Sequence, residues 1–358
     1  MKTSTRPSRS AGTEPSASYI SAEMQACVGQ DLDRRVSYPI TSSDIRRWAV
    51  AVYYPELPPQ RFWGGADVGS ADLAAPEDFN PFAWLVAEPA GPPPSLRDPE
   101  EVLGIASPDA PVRLRGGMSV DYGVPMRAGD VITSVRRLGG YVERAGRRGP
   151  MLLTTIVDTW TNQCDELVKS FEFTFLRFAE VAQSTTAPAK AAALSDRDDR
   201  RQDESPADTA GAGISVPGLD VPPVGAEIPS FIRKTGPANW NRFAAVNDEF
   251  VAIHMDDEAG RKAGATGAFG MGNLQWAYLH NVLRDWLGES GRIVSASCQF
   301  RGLNLKDQTL SAHGRVAGFR AEGGQTLVDL DLWTDIEDGL TLAKGTATVA
   351  LCGTPVGA

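Results

Sequence analysis

The sequence predicts an α+β protein made of two similar units, and three observations carry the prediction. One stretch beginning past Val112 and another past Gly291 alternate β-branched and aromatic residues with polar ones between Gly- and Asp-rich turns, the texture of an antiparallel meander. Each is preceded by apolar residues at helical spacing. Between the two units, residues 181–228 collapse into Ala, Ser, Asp, Arg and Pro with almost no aromatics, which marks a solvated linker. A chain of 358 residues, 42% of them hydrophobic, has length and apolar content for two cores, since a domain takes roughly 100–200 residues.

Residues 1–33 are polar and Ser-rich and are expected to form a flexible tail that buries no core. They lack the apolar centre of a secretion signal, and no run in the chain approaches the roughly 20 apolar residues that span a bilayer. A cytoplasmic protein with no membrane partner is expected. The first helix has Ser42 or Ser43 as its N-cap, carries Ile45, Trp48, Ala49 and Val52 on one face, and ends at Pro55. Residues 58–111 are rich in Pro and Gly and predict loops and a short helix. Four strands follow, with turns at Ala128-Gly129-Asp130, between Gly146 and Gly149, and at Cys164-Asp165. The second unit repeats this order: a helix over residues 236–245, a long helix from about Gly270 to Leu287, and four strands with turns at Gly323-Gly324 and Asp338-Gly339. The repeated order suggests a duplicated fold, with units at 34–180 and 229–353. Two such units can pair their sheets within one chain and bury edges that a single unit would expose. Further assembly into a homo-oligomer is consistent with that arrangement.

Several chemistries are argued against. The net charge of -10 and the lack of a concentrated basic patch speak against nucleic acid as a partner. Cys27, Cys164, Cys298 and Cys352 are far apart, with no C-x-x-C pair, so neither a metal site nor a disulfide framework is indicated and reduced thiols in packed structure are expected. The Gly-rich run 264–272 lacks the Lys-Ser/Thr ending of a phosphate loop, and no strand leads into it. No G-x-S-x-G elbow occurs, and no Cys stands close to a His.

Imidazole chemistry has three candidates: His254, His280 and His313. His280 shares a helical face with Trp276 and Leu283, which predicts core packing. His313 falls in mid-strand and reads as a surface or sheet-packing residue. His254 stands apart, because Asp248 and Glu249 precede it and Gly267, Gly270 and Gly272 follow, leading into the long apolar helix. Two groups able to trade a proton thus precede a helix start that favours negative charge. Such a set suits a reaction that moves a proton while negative charge builds on an oxygen.

The phrases PMRAGDVIT, RGGMSVDYGVP, RRGPMLLTT and TNQCDELV make residues 38–178 resemble an N-terminal dehydratase-like domain. Residues 231–351 resemble the catalytic domain of the MaoC-like family of R-specific enoyl-CoA hydratases and 3-hydroxyacyl dehydratases, so the chain looks like a double hotdog protein of that family. The family signature is G-D-x-N-P-[LIV]-H followed by an acid two residues on. Glu249 stands five residues before His254 and Asp256 two after, with Glu in place of the family's Asp, Val251 in place of Asn, and Ala252 in place of Pro. Asp248, six before His254, is the alternative acid.

The resemblance implies a cofactor-independent hydro-lyase acting on an acyl thioester, with coenzyme A favoured over a carrier protein. Glu249 and His254 would hold the water, and the Gly270 N–H would meet the thioester carbonyl. Arg144, Arg147 and Arg148 either meet coenzyme A phosphates at a pocket mouth or form a solvated hairpin turn. The corresponding stretch of the first unit, residues 49–63, has no His and no acid at the same spacing, which predicts a catalytically silent unit that shapes the acyl pocket. The departures at Val251 and Ala252 keep a non-catalytic acyl-thioester binder in play, and a hotdog thioesterase is a third reading.

Overall fold

The computed structural model describes residues 18–64, 73–85, 97–110, 112–146, 149–179 and 213–352. The first unit contains helices α1 (Ala22–Ala26), α2 (Ser42–Tyr53) and α3 (Pro99–Leu103), a 3-10 turn at Gln60–Phe62, and strands β1 (Asp31–Val36), β2 (Val112–Tyr122), β3 (Thr133–Gly146), β4 (Gly149–Thr161) and β5 (Leu167–Phe178). A small hairpin follows, β6 (Ile214–Val216) and β7 (Leu219–Val221). The second unit then supplies β8 (Glu227–Lys234), α4 (Pro237–Asn247), α5 (Ala252–Met255), α6 (Asp257–Lys262), α7 (Gly272–Leu287), β9 (Gly291–Phe300), β10 (Thr309–Glu322), β11 (Gln325–Ile336) and β12 (Thr341–Leu351).

Ten strands form one sheet in the order β1-β3-β4-β5-β2-β9-β12-β11-β10-β8. The order reads the same from either end once each strand is matched to its counterpart in the other unit, so the duplication is visible as an approximate two-fold. The units meet at β2 and β9, which pair antiparallel from Gly117 opposite Gln299 to Asp121 opposite Ser295. Gly117 sits where a Cβ would come within 3.1 Å of the Cys298 carbonyl oxygen, so the junction is tight.

The central helix α7 explains why the two units are not equivalent. Thirteen of its sixteen residues are buried, so it is enclosed on all sides rather than laid with one face on a sheet. The first unit has no matching long helix among the described residues. It sends α2 and its loops across to cover α7 instead. Asn281 Nδ2 donates to the Val52 carbonyl at 2.9 Å, Tyr53 donates its hydroxyl to Asp285 at 2.6 Å, and Arg61 donates to the Arg284 carbonyl at 2.8 Å. The Arg284 guanidinium is buried against Asp78, whose second carboxylate oxygen accepts from Trp48 Nε1 at 3.0 Å. Asn281, Tyr53 and Arg284 each gain a fixed partner that offsets part of the cost of burial.

Several expectations are corrected. Ordered structure begins inside the presumed tail: α1 and β1 lie within residues 18–36, and Met24 and Cys27 bury against Leu138, Tyr141 and Leu152 in a second apolar cluster. A few apolar side chains suffice there because the sheet already offers the surface. The presumed linker ends earlier than residue 228, since Val216 and Val221 of the β6–β7 hairpin are buried and β8 starts at Glu227. Helix α2 is capped by Thr41 rather than by Ser42 or Ser43, because Thr41 and Asp44 complete a reciprocal capping box. All four thiols are free, yet only Cys27 and Cys298 are packed, while Cys164 and Cys352 are exposed.

Candidate active site

Helix α4 ends at Asn247, and Asp248 then adopts the left-handed conformation (φ 52°, ψ 45°) that closes a helix by returning its amide to the Ala244 carbonyl. Asp248 is exposed and serves as this cap. The reversal sends Glu249, Phe250 and Val251 onward until the single turn of α5 turns His254 inward, where it is buried. His254 Nδ1 lies 2.8 Å from the Phe269 carbonyl oxygen, and the Phe269 ring meets the imidazole edge-on at 5.3 Å. A carbonyl only accepts, so Nδ1 carries the hydrogen and the neutral ring keeps its lone pair on Nε2. That is the tautomer a general base requires.

Glu249 is half-buried, and its Oε2 accepts from Asn247 Nδ2 at 2.7 Å and from Asn273 Nδ2 at 3.0 Å. Asn273 lies in the first turn of α7, so the carboxylate is held at the positive end of the long helix. The first unit reaches this point as well. Asn80 donates to Asn247 Oδ1 at 2.8 Å, and Trp84 donates its indole N–H to the Ala245 carbonyl at 2.7 Å while its ring meets Phe250 at 5.9 Å. Trp84 and Phe250 are both more than half exposed and form an aromatic lip beside the acid. Asp256 is the N-cap of α6, and Asp257 accepts from the Ala268 amide.

Gly270 departs from expectation. Its N–H donates to the Asn304 carbonyl oxygen at 2.7 Å, and α7 starts two residues later at Gly272. The amide expected to meet a substrate is therefore spent on closing the loop after β9. Glycine is required there for space: a Cβ would lie 2.9 Å from Trp240 Nε1 and 3.1 Å from Asn304 Oδ1. Arg144 is exposed on β3, and Arg147 and Arg148 lie outside the described residues.

His280 is core: Nδ1 donates to the Trp276 carbonyl at 2.9 Å, so Nε2 accepts from the Tyr122 hydroxyl at 2.8 Å. Burial pushes its pKa down to about 4. His313 joins a cross-strand ladder on the sheet, between Ser230 Oγ at 2.7 Å and Asp335 at 3.2 Å, stacked on Trp333. No group of three or more His, Cys, Asp or Glu suited to a metal occurs among the described residues. A cavity of about 330 Å³, lined by Tyr53, Arg233 and Asp285, sits near the C-terminal end of α7. That places it roughly 18 Å along the helix from Asn273, at a rise of about 1.5 Å per residue, and away from His254.

Asn80, Asn247 and Asn273, which position Glu249, were not singled out from the sequence. An amide carries no chemistry of its own, and only its contact with the acid marks it.

Residues 26–171 match a family model described as the FAS1-like dehydratase domain region. No curated protein matches the sequence. Among solved structures, a MaoC-like dehydratase aligns over 92% of this chain and 100% of its own, at 16% identity and a TM-score of 0.63. A MaoC-like dehydratase from Phytophthora capsici covers 93% and 98% at 13% identity and a TM-score of 0.60. A putative MaoC domain protein dehydratase from Chloroflexus aurantiacus covers 92% and 95% at 13% identity and a TM-score of 0.59. With its two five-stranded halves joined at β2 and β9 in one sheet, the chain is a double hotdog protein. Residues 26–171 are similar to the dehydratase-type domain of that family model, and the chain shares its fold with solved structures named MaoC-like dehydratases. No helix among the described residues is long and apolar enough to cross a membrane.

Proposed function

We propose that this protein is a hydro-lyase that adds water to a 2-enoyl thioester, or removes it from the 3-hydroxyacyl form, at Glu249 and His254, with coenzyme A favoured over a carrier protein as the thiol. The observation that supports this best is the fixed tautomer of His254: with Nδ1–H committed to Phe269, Nε2 is available to take a proton from water. The hydroxide equivalent bonds to C3 of the acyl group, the C2–C3 π pair moves toward the thioester carbonyl, and C2 then takes a proton as the enolate collapses. Glu249, held by two amide donors, shares the water with His254 and exchanges protons with it. The macrodipole of α7 favours the charge that develops beside its first turn. The first unit contributes no base and closes the site through Asn80 and Trp84.

The test is hydration of crotonyl-CoA and longer enoyl-CoA esters, and dehydration of their 3-hydroxy counterparts, by the wild type and His254→Ala. Loss of a general base should lower turnover by ~10²–10⁴-fold. Equal turnover by an active wild type and by the variant would remove His254 from the mechanism. A second reading, a non-catalytic acyl-thioester binder, is favoured by the spent Gly270 amide. It predicts thermal stabilisation by acyl-CoA with no turnover of any enoyl ester.

A further inference from the structure

Three strands of the second unit bring together a serine, a histidine and a carboxylate outside the site described above. Ser230 Oγ on β8 lies 2.7 Å from His313 Nδ1 on β10, and His313 Nε2 lies 3.2 Å from Asp335 Oδ1 on β11. A carboxylate only accepts, so the neutral ring carries its hydrogen on Nε2 and leaves the Nδ1 lone pair to accept from the serine hydroxyl. The ring is held flat on Trp333, with centroids 5.0 Å apart and planes 17° from parallel. Trp333 Nε1 in turn donates to the other Asp335 oxygen at 3.3 Å. The backbone aims the serine at this ring. Phe231 pairs with Ala312 and Ile228 with Gly314, so two residues, Pro229 and Ser230, stand opposite His313 alone. Such a bulge re-aims a side chain, and it falls on the last strand of the sheet among the described residues.

Ser230 is also where this relay meets open space. It is exposed, while the His313 and Asp335 side chains are only 18% and 26% exposed, and it lines the cavity of about 330 Å³ that Tyr53, Phe231, Arg233 and Asp285 share. Pockets of roughly 300–1,000 Å³ take small molecules. We propose that Ser230 is a nucleophile for acyl transfer, with His313 as its general base and Asp335 as a positioning residue, and that the cavity takes a small carboxylic ester. Ser230 Oγ bonds to the ester carbonyl carbon while its proton passes to His313 Nδ1. The outer edge of β8, which no described strand pairs, offers backbone N–H groups for the charge that develops on the carbonyl oxygen. The C–O bond to the alcohol then breaks, and the alcohol leaves with the proton from Nδ1. Water attacks the acyl-serine by the same route, which releases the acid and restores Ser230. This activity shares no residue with the hydro-lyase site, so either reading can fail alone.

The experiment uses the full chain with a fluorophosphonate probe, which bonds to an activated serine oxygen, and with p-nitrophenyl acetate and butyrate as esters. Mass spectrometry of the labelled wild type should place the phosphonate on Ser230, a result that needs no variant to fold. Ser230→Ala should lose both labelling and ester hydrolysis, and His313→Gln should lower both by ~10²–10⁴-fold, with melting curves to establish folding. Asp335→Asn should also slow labelling, and Asp335→Glu should recover part of the rate, which a role in folding alone would not give. A wild type left unlabelled at Ser230 overturns the proposal. So does ester hydrolysis that is equal in the wild type and Ser230→Ala, or labelling of Ser230 that His313→Gln leaves unchanged.

Discussion

Asn273 donates to Glu249 Oε2 at 3.0 Å, and through that bond the first turn of the buried helix α7 holds the segment that leads to His254. The same oxygen accepts from Asn247, which in turn accepts from Asn80 of the first unit. A carboxylate held this way cannot swing freely. Asn273→Ala should lower kcat for enoyl-CoA hydration by ~10²-fold, the cost of misplacing a reacting group by about 1 Å, with KM little changed. Steady-state kinetics at saturating substrate give the answer, and an undiminished kcat would mean that Glu249 needs no such positioning.

Glu249→Gln separates charge from shape at the same place. Glutamine keeps a carbonyl oxygen to accept from Asn247 and Asn273, so folding should be preserved, with the melting temperature near that of the wild type. Proton exchange with the water is lost, and turnover should fall by ~10²–10⁴-fold. Asp248→Asn, on the exposed cap of α4, should leave turnover nearly intact. The reverse pattern would move the acid to Asp248.

Much of the fold was legible because its signals are local. The alternation in each meander and the apolar spacing of α2 follow from periods of two and 3.6, and the glycines at Gly323, Gly324 and Gly339 adopt positive φ in the turns they mark. What was not legible depends on packing between distant segments. Met24 and Cys27 look like parts of a polar tail until the sheet supplies a surface for them. Gln275, Asn281 and Arg284 are polar positions within α7, and partners from β11, α2 and the loop at Asp78 let them be buried with its apolar residues. In the candidate site, Glu249 and His254 stood out through their spacing. The donors around them did not, because Asn and Trp side chains acquire a role only from what they face.

The Arg284–Asp78 pair joins α7 to the first unit deep in the core. Removing the cation should leave a buried carboxylate with too few partners, and Arg284→Met should therefore cost about 3–5 kcal/mol in urea unfolding. Neutralising the acid as well, in Asp78→Asn with Arg284→Met, should recover a large part of that loss, since an apolar and polar-neutral replacement no longer strands a charge. Losses that simply add would mean that the two side chains act independently.

Acid sensitivity above pH 4 should come in measurable part from His280. Its ring is enclosed by Trp276 and Tyr122, with Asp78, Glu77 and Arg284 nearby, and burial is the largest influence, pushing the folded pKa down to about 4. In the unfolded chain the ordinary value is about 6.5. Between those limits the unfolded state takes up a proton that the native state refuses, so stability falls as the pH drops from about 6.5 toward about 4, then levels off for this group. Asp78 acts in the same direction at lower pH: burial by itself would raise its pKa, but Arg284 and its hydrogen bonds hold it below the usual carboxylate range, so its stabilising contribution is lost only as the pH falls below that range. From pH 7 to pH 5 the His280 contribution amounts to about 2 kcal/mol. Urea unfolding at those two pH values should show this drop in the wild type and a drop smaller by about that amount in His280→Gln. Equal drops in the two proteins would place the acid sensitivity elsewhere.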